Sequence, residues 1–271
     1  MANIFDIDLF NQKLSVQVKN NKITEETKTY YMACLDAINK KTVGTEDVAK
    51  AIDEICKGSK QGEKYISAVK KYERDVLDAP KSILFGTKLL ELRQKHKLPS
   101  IGIEIKMNEA TYLKKINRLN NERLKLALRL QHKSGLRISE IASLSREDII
   151  FDENNEIRVL VRNGKGGKAR AVDVNHDEWL FRRLQMHLEP FAEAEKVFYS
   201  SSYLKKKATA LGIPTHDLRR INSRERFRNQ RGTGESRRSA RREVQKQLGH
   251  ESPKTTNAYL GKEWSEEEEE K

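Results

Sequence analysis

Five apolar residues near the middle of the chain alternate with polar ones, and this pattern limits the folds open to it. Ile157, Val159 and Val161 form one alternating run, and Val172 and Val174 resume the alternation after a glycine-rich break. A period of two is typical of a half-buried antiparallel strand pair. Apolar residues elsewhere recur mostly at helical spacing. The sequence therefore predicts a mainly α fold with a small antiparallel β-hairpin or sheet.

The tip of this hairpin, predicted for residues 156–174, carries two lysines on a glycine-rich turn. The run Asn-Gly-Lys-Gly-Gly-Lys presents Lys165 and Lys168. It lacks the Gly-Lys-Ser/Thr ending that opens a helix in a P-loop. Taken alone, it indicates a flexible turn with exposed lysines.

Composition and helical patterns divide the chain into two domains. The first 97 residues contain four or five short helical patterns with basic faces, while Pro99 and Gly102 interrupt any helix that follows. The predicted parts are a helical domain 1–98, a linker 99–106, a second domain 107–262 and an acidic tail 263–271.

The charge of the chain predicts a polyanionic partner. A formal net charge of +13 favours nucleic acid, although ribosomal association or an anionic membrane surface would also suit it. No apolar run approaches the roughly 20 residues of a membrane span, and the N-terminus lacks a signal pattern, so we expect a cytoplasmic protein. Cys34 and Cys56 are expected to be buried free thiols, and no histidine spacing indicates a metal site.

The stretch LGHESPKTTNAYL near the C-terminus predicts two helices with a histidine at their joint. Gly249 fits the left-handed position that ends a helix, and Ser252 followed by Pro253 is a strong start signal for the next one. His250 then lies in the joint, and Tyr259 lies about two turns into the second helix. By spacing alone, Tyr259 would be a half-buried tyrosine whose hydroxyl meets water.

An arginine-rich segment precedes this stretch. Ten arginines stand between positions 219 and 242 against two glutamates, so one helical face should meet water or DNA, with a break around residues 232–234. The candidate DNA contacts are Arg220, Arg224, Arg228 and Arg231.

Six polar residues together could break a phosphodiester by attack of a tyrosine. Two guanidiniums can clamp the phosphate oxygens, and a lysine on a hairpin can protonate the leaving oxygen. An ordinary tyrosine is protonated at pH 7, so a nearby base or cationic field must assist it. The six candidates are Arg137, Lys165, His216, Arg219, His250 and Tyr259.

Four motifs in this order resemble the tyrosine recombinase family of phage integrases and Xer-type recombinases. The step of nine residues from His250 to Tyr259 is also the usual one in that family. The resemblance covers roughly residues 107–260, and the N-terminal helices match the family's DNA-gripping core-binding domain in general character only. The motifs are SGLRISEI (134–141), GKGGKAR (164–170), HDLRR (216–220) and LGHESPKTTNAYL (248–260).

The resemblance implies a helical core-binding domain, an α+β catalytic domain and a role for each candidate. Tyr259 would attack the scissile phosphate to give a 3′-phosphotyrosine, without metal or cofactor. The remaining implied roles are phosphate clamps for Arg137 and Arg219, general acid for Lys165 with Lys168 as its rival, proton transfer for His216, a phosphate hydrogen bond for His250 and support of the framework for Glu140.

The implied function is site-specific recombination of a phage or other mobile element. The partners would be double-stranded DNA with a specific site and three further copies of the chain in a tetramer, and a DNA-bending accessory protein is compatible with this. Two alternatives stay open: a catalytically silent DNA-binding regulator and a type IB topoisomerase. The long arginine-rich segment departs from compact members, and Trp264 is the one evident anchor for a C-terminal exchange between protomers.

Overall fold

The structure is a computed structural model that describes residues 4–42, 47–56, 62–79, 83–85, 88–95, 105, 108–164 and 167–265. The chain forms two compact units, Met1–Pro99 and Ser100–Lys271. Helices dominate both units, and the second also contains a small antiparallel sheet, so the predicted fold class is confirmed. Of the predicted linker, only Ile105 belongs to the described residues.

The first unit contains five described helices around one apolar core. Side-chain caps start two of them, because Asp6 accepts from the Leu9 amide and Thr24 from the Thr27 amide. Cys34 and Cys56 are buried free thiols, as predicted. The helices are α1 (Ile7–Lys19), α2 (Glu25–Lys41), α3 (Val48–Cys56), α4 (Gly62–Asp75) and α5 (Lys88–Lys95).

In the described residues, the second unit begins with three helices, continues through the sheet and ends in six helices. Its elements are α6 (Glu109–Asn117), α7 (Glu122–Ser134), α8 (Ile138–Ser143), a 3₁₀ turn (Arg146–Asp148), β1 (Ile149–Phe151), β2 (Ile157–Val161), β3 (Arg170–Asp173), α9 (Glu178–Leu188), α10 (Ser201–Ala210), α11 (Thr215–Gly232), α12 (Arg237–Leu248), α13 (Pro253–Leu260) and α14 (Lys262–Ser265). Among the described residues, no helix combines the length and apolar character that crossing a membrane would require.

The sheet confirms the predicted hairpin and adds one strand to it. β2 pairs antiparallel with β3, and Val159 faces Val172 across the pair. β1 pairs with the other edge of β2, with Ile149 opposite Val159. Three residues are too few to show an alternation, which is why the sequence pattern missed β1. Of the hairpin tip, residues 165 and 166 lie outside the described residues.

Helix α7 is the central element of the second unit. Leu124, Leu126, Leu128 and Leu130 are all buried, so the helix is apolar on more than one face. Gly135 ends it in the left-handed conformation at φ 70°, and Gly249 ends α12 in the same way at φ 62°. Both α7 and α12 therefore end at a glycine in the left-handed conformation.

A second apolar cluster holds the C-terminal helices together. It consists of Phe227, Ala240, Val244, Leu248 and Leu260, with Tyr259 and Trp264 packed against it. Of the predicted acidic tail, Glu263 and Trp264 belong to α14, and residues 266–271 lie outside the described residues. The indole ring of Trp264 lies 6.4 Å from the Phe227 ring and 4.0 Å from the Arg237 guanidinium. It therefore has both an apolar contact and a cation–π contact.

We expect Gly135→Ala to destabilise the second unit by about 2–4 kcal/mol, because alanine disfavours a positive φ and its Cβ would overpack the site. That Cβ would lie 2.4 Å from Asn222 Oδ1. Denaturant unfolding followed by tryptophan fluorescence measures this, since both tryptophans, Trp179 and Trp264, belong to the second unit. The matched control is Gly232→Ala, whose Cβ would meet nothing within 4 Å. Equal stability of the two variants would contradict the expectation.

Candidate active site

The buried guanidinium of Arg219 lies at the centre of the site. The residue is 1% exposed, and its two terminal nitrogens donate to the carbonyls of Gly135 and Leu248. Its Nε has no hydrogen-bond partner among the described residues. Burial, then the charge of Arg137, lowers the pKa of Arg219 to about 10, so it stays charged at neutral pH. The arrangement leaves a desolvated cation that an anion can stabilise.

Glu140 lies beside this centre and binds two further arginines. Its carboxylate is 3% exposed and accepts from Arg137 twice, from the backbone amide at 2.8 Å and from Nη1 at 2.9 Å. Arg170 donates to both of its oxygens at 3.0 and 2.9 Å. Burial acts to raise the pKa of Glu140, but the hydrogen bonds and charges of Arg170 and Arg137 outweigh it and hold the pKa below its usual range. Glu140 is therefore an ionised anchor for two arginines.

His250 is neutral, and its tautomer follows from its neighbours. Its Nε2 lies 3.2 Å from Arg219 Nη2, and its Nδ1 lies 3.1 Å from Thr256 Oγ1. Because arginine can only donate, Nε2 accepts, and the proton sits on Nδ1 and is donated to Thr256. Burial, then the charges of Arg219 and Arg137, lowers the pKa of His250 to about 3. In this arrangement His250 orients Arg219, whereas the predicted hydrogen bond to a phosphate oxygen would need the proton on Nε2.

Tyr259 faces the other predicted histidine. Its hydroxyl lies 3.3 Å from His216 Nδ1, at the N-terminal end of α11. The tyrosine ring packs edge-on against the His250 ring at 4.7 Å and lies 5.7 Å from the Arg219 guanidinium. Partial desolvation, then the charges of Arg220 and Arg219, lowers the pKa of His216. A neutral imidazole is thus placed to accept the phenolic proton beside a cationic centre.

Of the two candidate lysines, Lys168 belongs to the described residues. Lys165 lies outside the described residues. Lys168 is exposed and its Nζ forms an ion pair with Glu251 at 3.0 Å, next to His250. The described part of the hairpin tip therefore reaches the joint between α12 and α13.

The four arginines predicted to contact DNA differ in their placement. Arg228 and Arg231 are exposed, and Arg224 is half-buried with its Nε 3.3 Å from the Tyr259 carbonyl. Arg220 departs from the prediction, because it is 9% exposed and its guanidinium pairs with Asp217 and lies 5.5 Å from the Tyr259 ring. Residues 217–220 of α11 are all buried, so Arg220 belongs to the wall of the site.

Sequence reasoning missed two residues that organise the site, Arg170 and Thr256. Both stand inside quoted motifs, Arg170 as the last residue of GKGGKAR and Thr256 three residues before Tyr259. Thr256 is fully buried, although the three residues before it are exposed. The sequence of the motif does not distinguish it from them. Among the described residues there is no group of three or more histidine, cysteine, aspartate or glutamate side chains that could hold a metal ion.

Comparison with known proteins places this geometry in a family. The sequence profile of the phage integrase family matches residues 106–265, more than half of the chain. The chain belongs to the phage integrase family. The predicted resemblance to tyrosine recombinases is confirmed, and the family match contains all the candidate catalytic residues.

Individual relatives have low sequence identity to this chain or match only part of it. Tyrosine recombinase XerA of Pyrococcus horikoshii is 33% identical over 102 residues, which are 37% of this chain and about a third (35%) of that protein. XerH recombinase bound to its difH substrate in a pre-cleavage complex has a TM-score of 0.61 at 18% identity, covering 97% of this chain and 84% of that one. A lambda integrase tetramer bound to a Holliday junction has a TM-score of 0.63 at 16% identity, with coverages of 93% and 75%. The structural matches establish the fold.

We expect His250 to make the stability of the second unit depend on pH. Its folded pKa of about 3 lies below its unfolded value of 6.5, so the unfolded state binds a proton that the folded state does not. Stability therefore falls as the pH drops below 6.5. Between pH 7 and 5.5 the loss from this group is about 1 kcal/mol.

Urea unfolding of wild type and His250→Gln at the two pH values, followed by tryptophan fluorescence, checks this. The variant should lose about 1 kcal/mol less than the wild type on acidification. His216 and His187 also have lowered pKa values, but they are common to both proteins and cancel in the comparison. The same pH dependence in both proteins would show that folding does not lower the pKa of His250, contrary to this expectation.

Proposed function

We propose that the chain is a site-specific DNA recombinase that cleaves and rejoins strands through a 3′-phosphotyrosine. The observation that carries the proposal is the position of the Tyr259 hydroxyl, 3.3 Å from neutral His216 and beside the buried Arg219. A nucleophile, a base and a cationic clamp thus share one site. The family match supports the same chemistry.

The first step is transfer of the phosphoryl group from DNA to the protein. Arg137 and Arg219 bind the non-bridging oxygens and stabilise the charge that develops on them. The Tyr259 oxygen bonds to phosphorus and its proton passes to His216, while the bond from phosphorus to the 5′ oxygen breaks. Lys165 or Lys168 protonates that leaving oxygen.

Rejoining reverses these steps with the 5′-hydroxyl of another strand. One ester replaces another each time, so the energy of the phosphodiester is kept in the phosphotyrosine, and no nucleotide or metal has to supply it. The partners that fit are a DNA duplex with a specific site and a tetramer of this chain. XerH bound to its difH substrate and the lambda integrase tetramer on a Holliday junction support this choice.

Integration or excision of a phage or mobile element is the biological role that we infer. The match to the phage integrase family supports it, and such a reaction would take place on DNA in the cytoplasm. The basic charge of the chain favours the DNA partner, and exposed Arg228 and Arg231 offer contacts to its backbone. The first unit would grip the same DNA as a core-binding domain.

We expect the wild-type protein to form a covalent adduct with nicked suicide duplexes. The short fragment that carries the freed 5′-hydroxyl is lost from these duplexes, which traps the intermediate. Mass spectrometry of the digested adduct should place the DNA on Tyr259. Tyr259→Phe should form no adduct and bind the duplex with a Kd within a few-fold of wild type, because the ring contacts to the arginines remain. Equal binding without any wild-type adduct would instead favour a silent DNA-binding regulator.

We expect one of the two hairpin lysines to act as the general acid. Loss of that lysine should slow cleavage by about 10²–10⁴-fold, and a bridging sulfur at the 5′ position should restore the rate, because a thiolate leaves without a proton. Lys165→Ala and Lys168→Ala are matched controls for each other on both substrates. Full activity of Lys165→Ala would assign the role to Lys168, and unchanged rates in both variants would exclude the hairpin from proton transfer.

A further inference from the structure

We propose that Arg170 is a positioning residue that keeps Arg137 available to the scissile phosphate by neutralising Glu140. The inference rests on the proposed function, since it concerns the same phosphate site. Among the described residues Arg170 has no hydrogen bond with Tyr259 or the histidines, and the carboxylate that it binds is that of Glu140.

The first support is the geometry of the pair. Arg170 Nη1 and Nη2 each donate to a different oxygen of Glu140, at 3.0 and 2.9 Å, which is the forked arrangement with the strongest directional preference. Its Nε donates to the carbonyl of Gln247 at 3.0 Å. The side chain is 12% exposed. Its planar donors are thus occupied by one carboxylate and one helix carbonyl.

The second support is the space around the guanidinium. A Cβ on Gly164 would lie 2.9 Å from Arg170 Nη1, and a Cβ on Gly249 would lie 3.1 Å from its Cζ. Two motif glycines, one in the hairpin and one at the end of α12, therefore leave room for this side chain. Arg170 joins β3 to α8 through Glu140 and to α12 through Gln247.

The third support is the count of charges. Glu140 carries one negative charge and binds two guanidiniums, those of Arg137 and Arg170. Without Arg170, Glu140 and Arg137 would form a neutral pair, and the carboxylate would compete with a phosphate for the donors of Arg137. With Arg170 present, the group of three keeps a net positive charge near the buried Arg219.

The test compares cleavage of two suicide duplexes that differ only at the scissile position, one a phosphodiester and one an uncharged methylphosphonate. Arg170→Gln should slow adduct formation on the phosphodiester by roughly 10²-fold, the effect typical of losing one charge-stabilising donor. On the methylphosphonate, where less charge has to be stabilised, the loss should be about tenfold or less. Arg170→Lys should recover part of the phosphodiester rate.

The matched control is Arg158→Gln, which removes an exposed ion pair with Asp173 on the same sheet and should leave both rates unchanged. Tryptophan fluorescence unfolding confirms that each variant is folded at the assay temperature. Equal losses on both substrates, or a wild-type rate for Arg170→Gln, would overturn the proposal.

A second measurement separates this proposal from the proposed function. If wild type forms no adduct, the recombinase proposal fails. The role of Arg170 is then tested by the binding of inorganic phosphate, which ³¹P NMR follows. Arg170→Gln should weaken phosphate binding about tenfold, as should Arg137→Gln, while Arg158→Gln should not. Unchanged phosphate affinity in Arg170→Gln would overturn the proposal whether or not the protein cleaves DNA.

Discussion

The rest of the site depends on the hydrogen bonds from Arg219 to the carbonyls of Gly135 and Leu248. These carbonyls come from the ends of α7 and α12, so one side chain of α11 fixes three helices relative to one another. A buried guanidinium is costly without partners, and here two backbone dipoles and the neutral His250 supply them. In the proposed function, a phosphate oxygen is a further, anionic partner of this cation.

The charges around Arg219 follow the same logic. Glu140 is ionised and shared between Arg137 and Arg170, so it organises the arginines without cancelling their charge. The low pKa of His250 and of His216 keeps both imidazoles neutral, so that one can accept from Arg219 and the other can accept a proton from Tyr259. Positive charge is thereby concentrated on the arginines, and basicity is placed next to the nucleophile.

The sequence predicted the features that rest on local chemistry. The period-two alternation gave β2 and β3, and the glycine and Ser-Pro signals gave the ends of α12 and α13. Motif order gave the catalytic candidates. The sequence did not predict contacts between distant segments. Arg170 and Glu140 are thirty positions apart. The burial of Arg220 and the packing of Trp264 depend on which helix lies opposite each of them. Local periodicity carries no information about such partners. The three residues of β1 were too few to show a period at all.

The proposed function requires Arg219 and Arg137 to hold a phosphate in line with Tyr259. A crystal structure of the protein with orthovanadate, which adopts the five-coordinate geometry of phosphoryl transfer, tests it most directly. We expect vanadium bonded to the Tyr259 oxygen, with equatorial oxygens that accept from Arg219 Nε and from Arg137. Vanadate bound away from Arg219, or a Tyr259 hydroxyl that stays on His216 in a crystal with vanadate bound to the arginines, would contradict it.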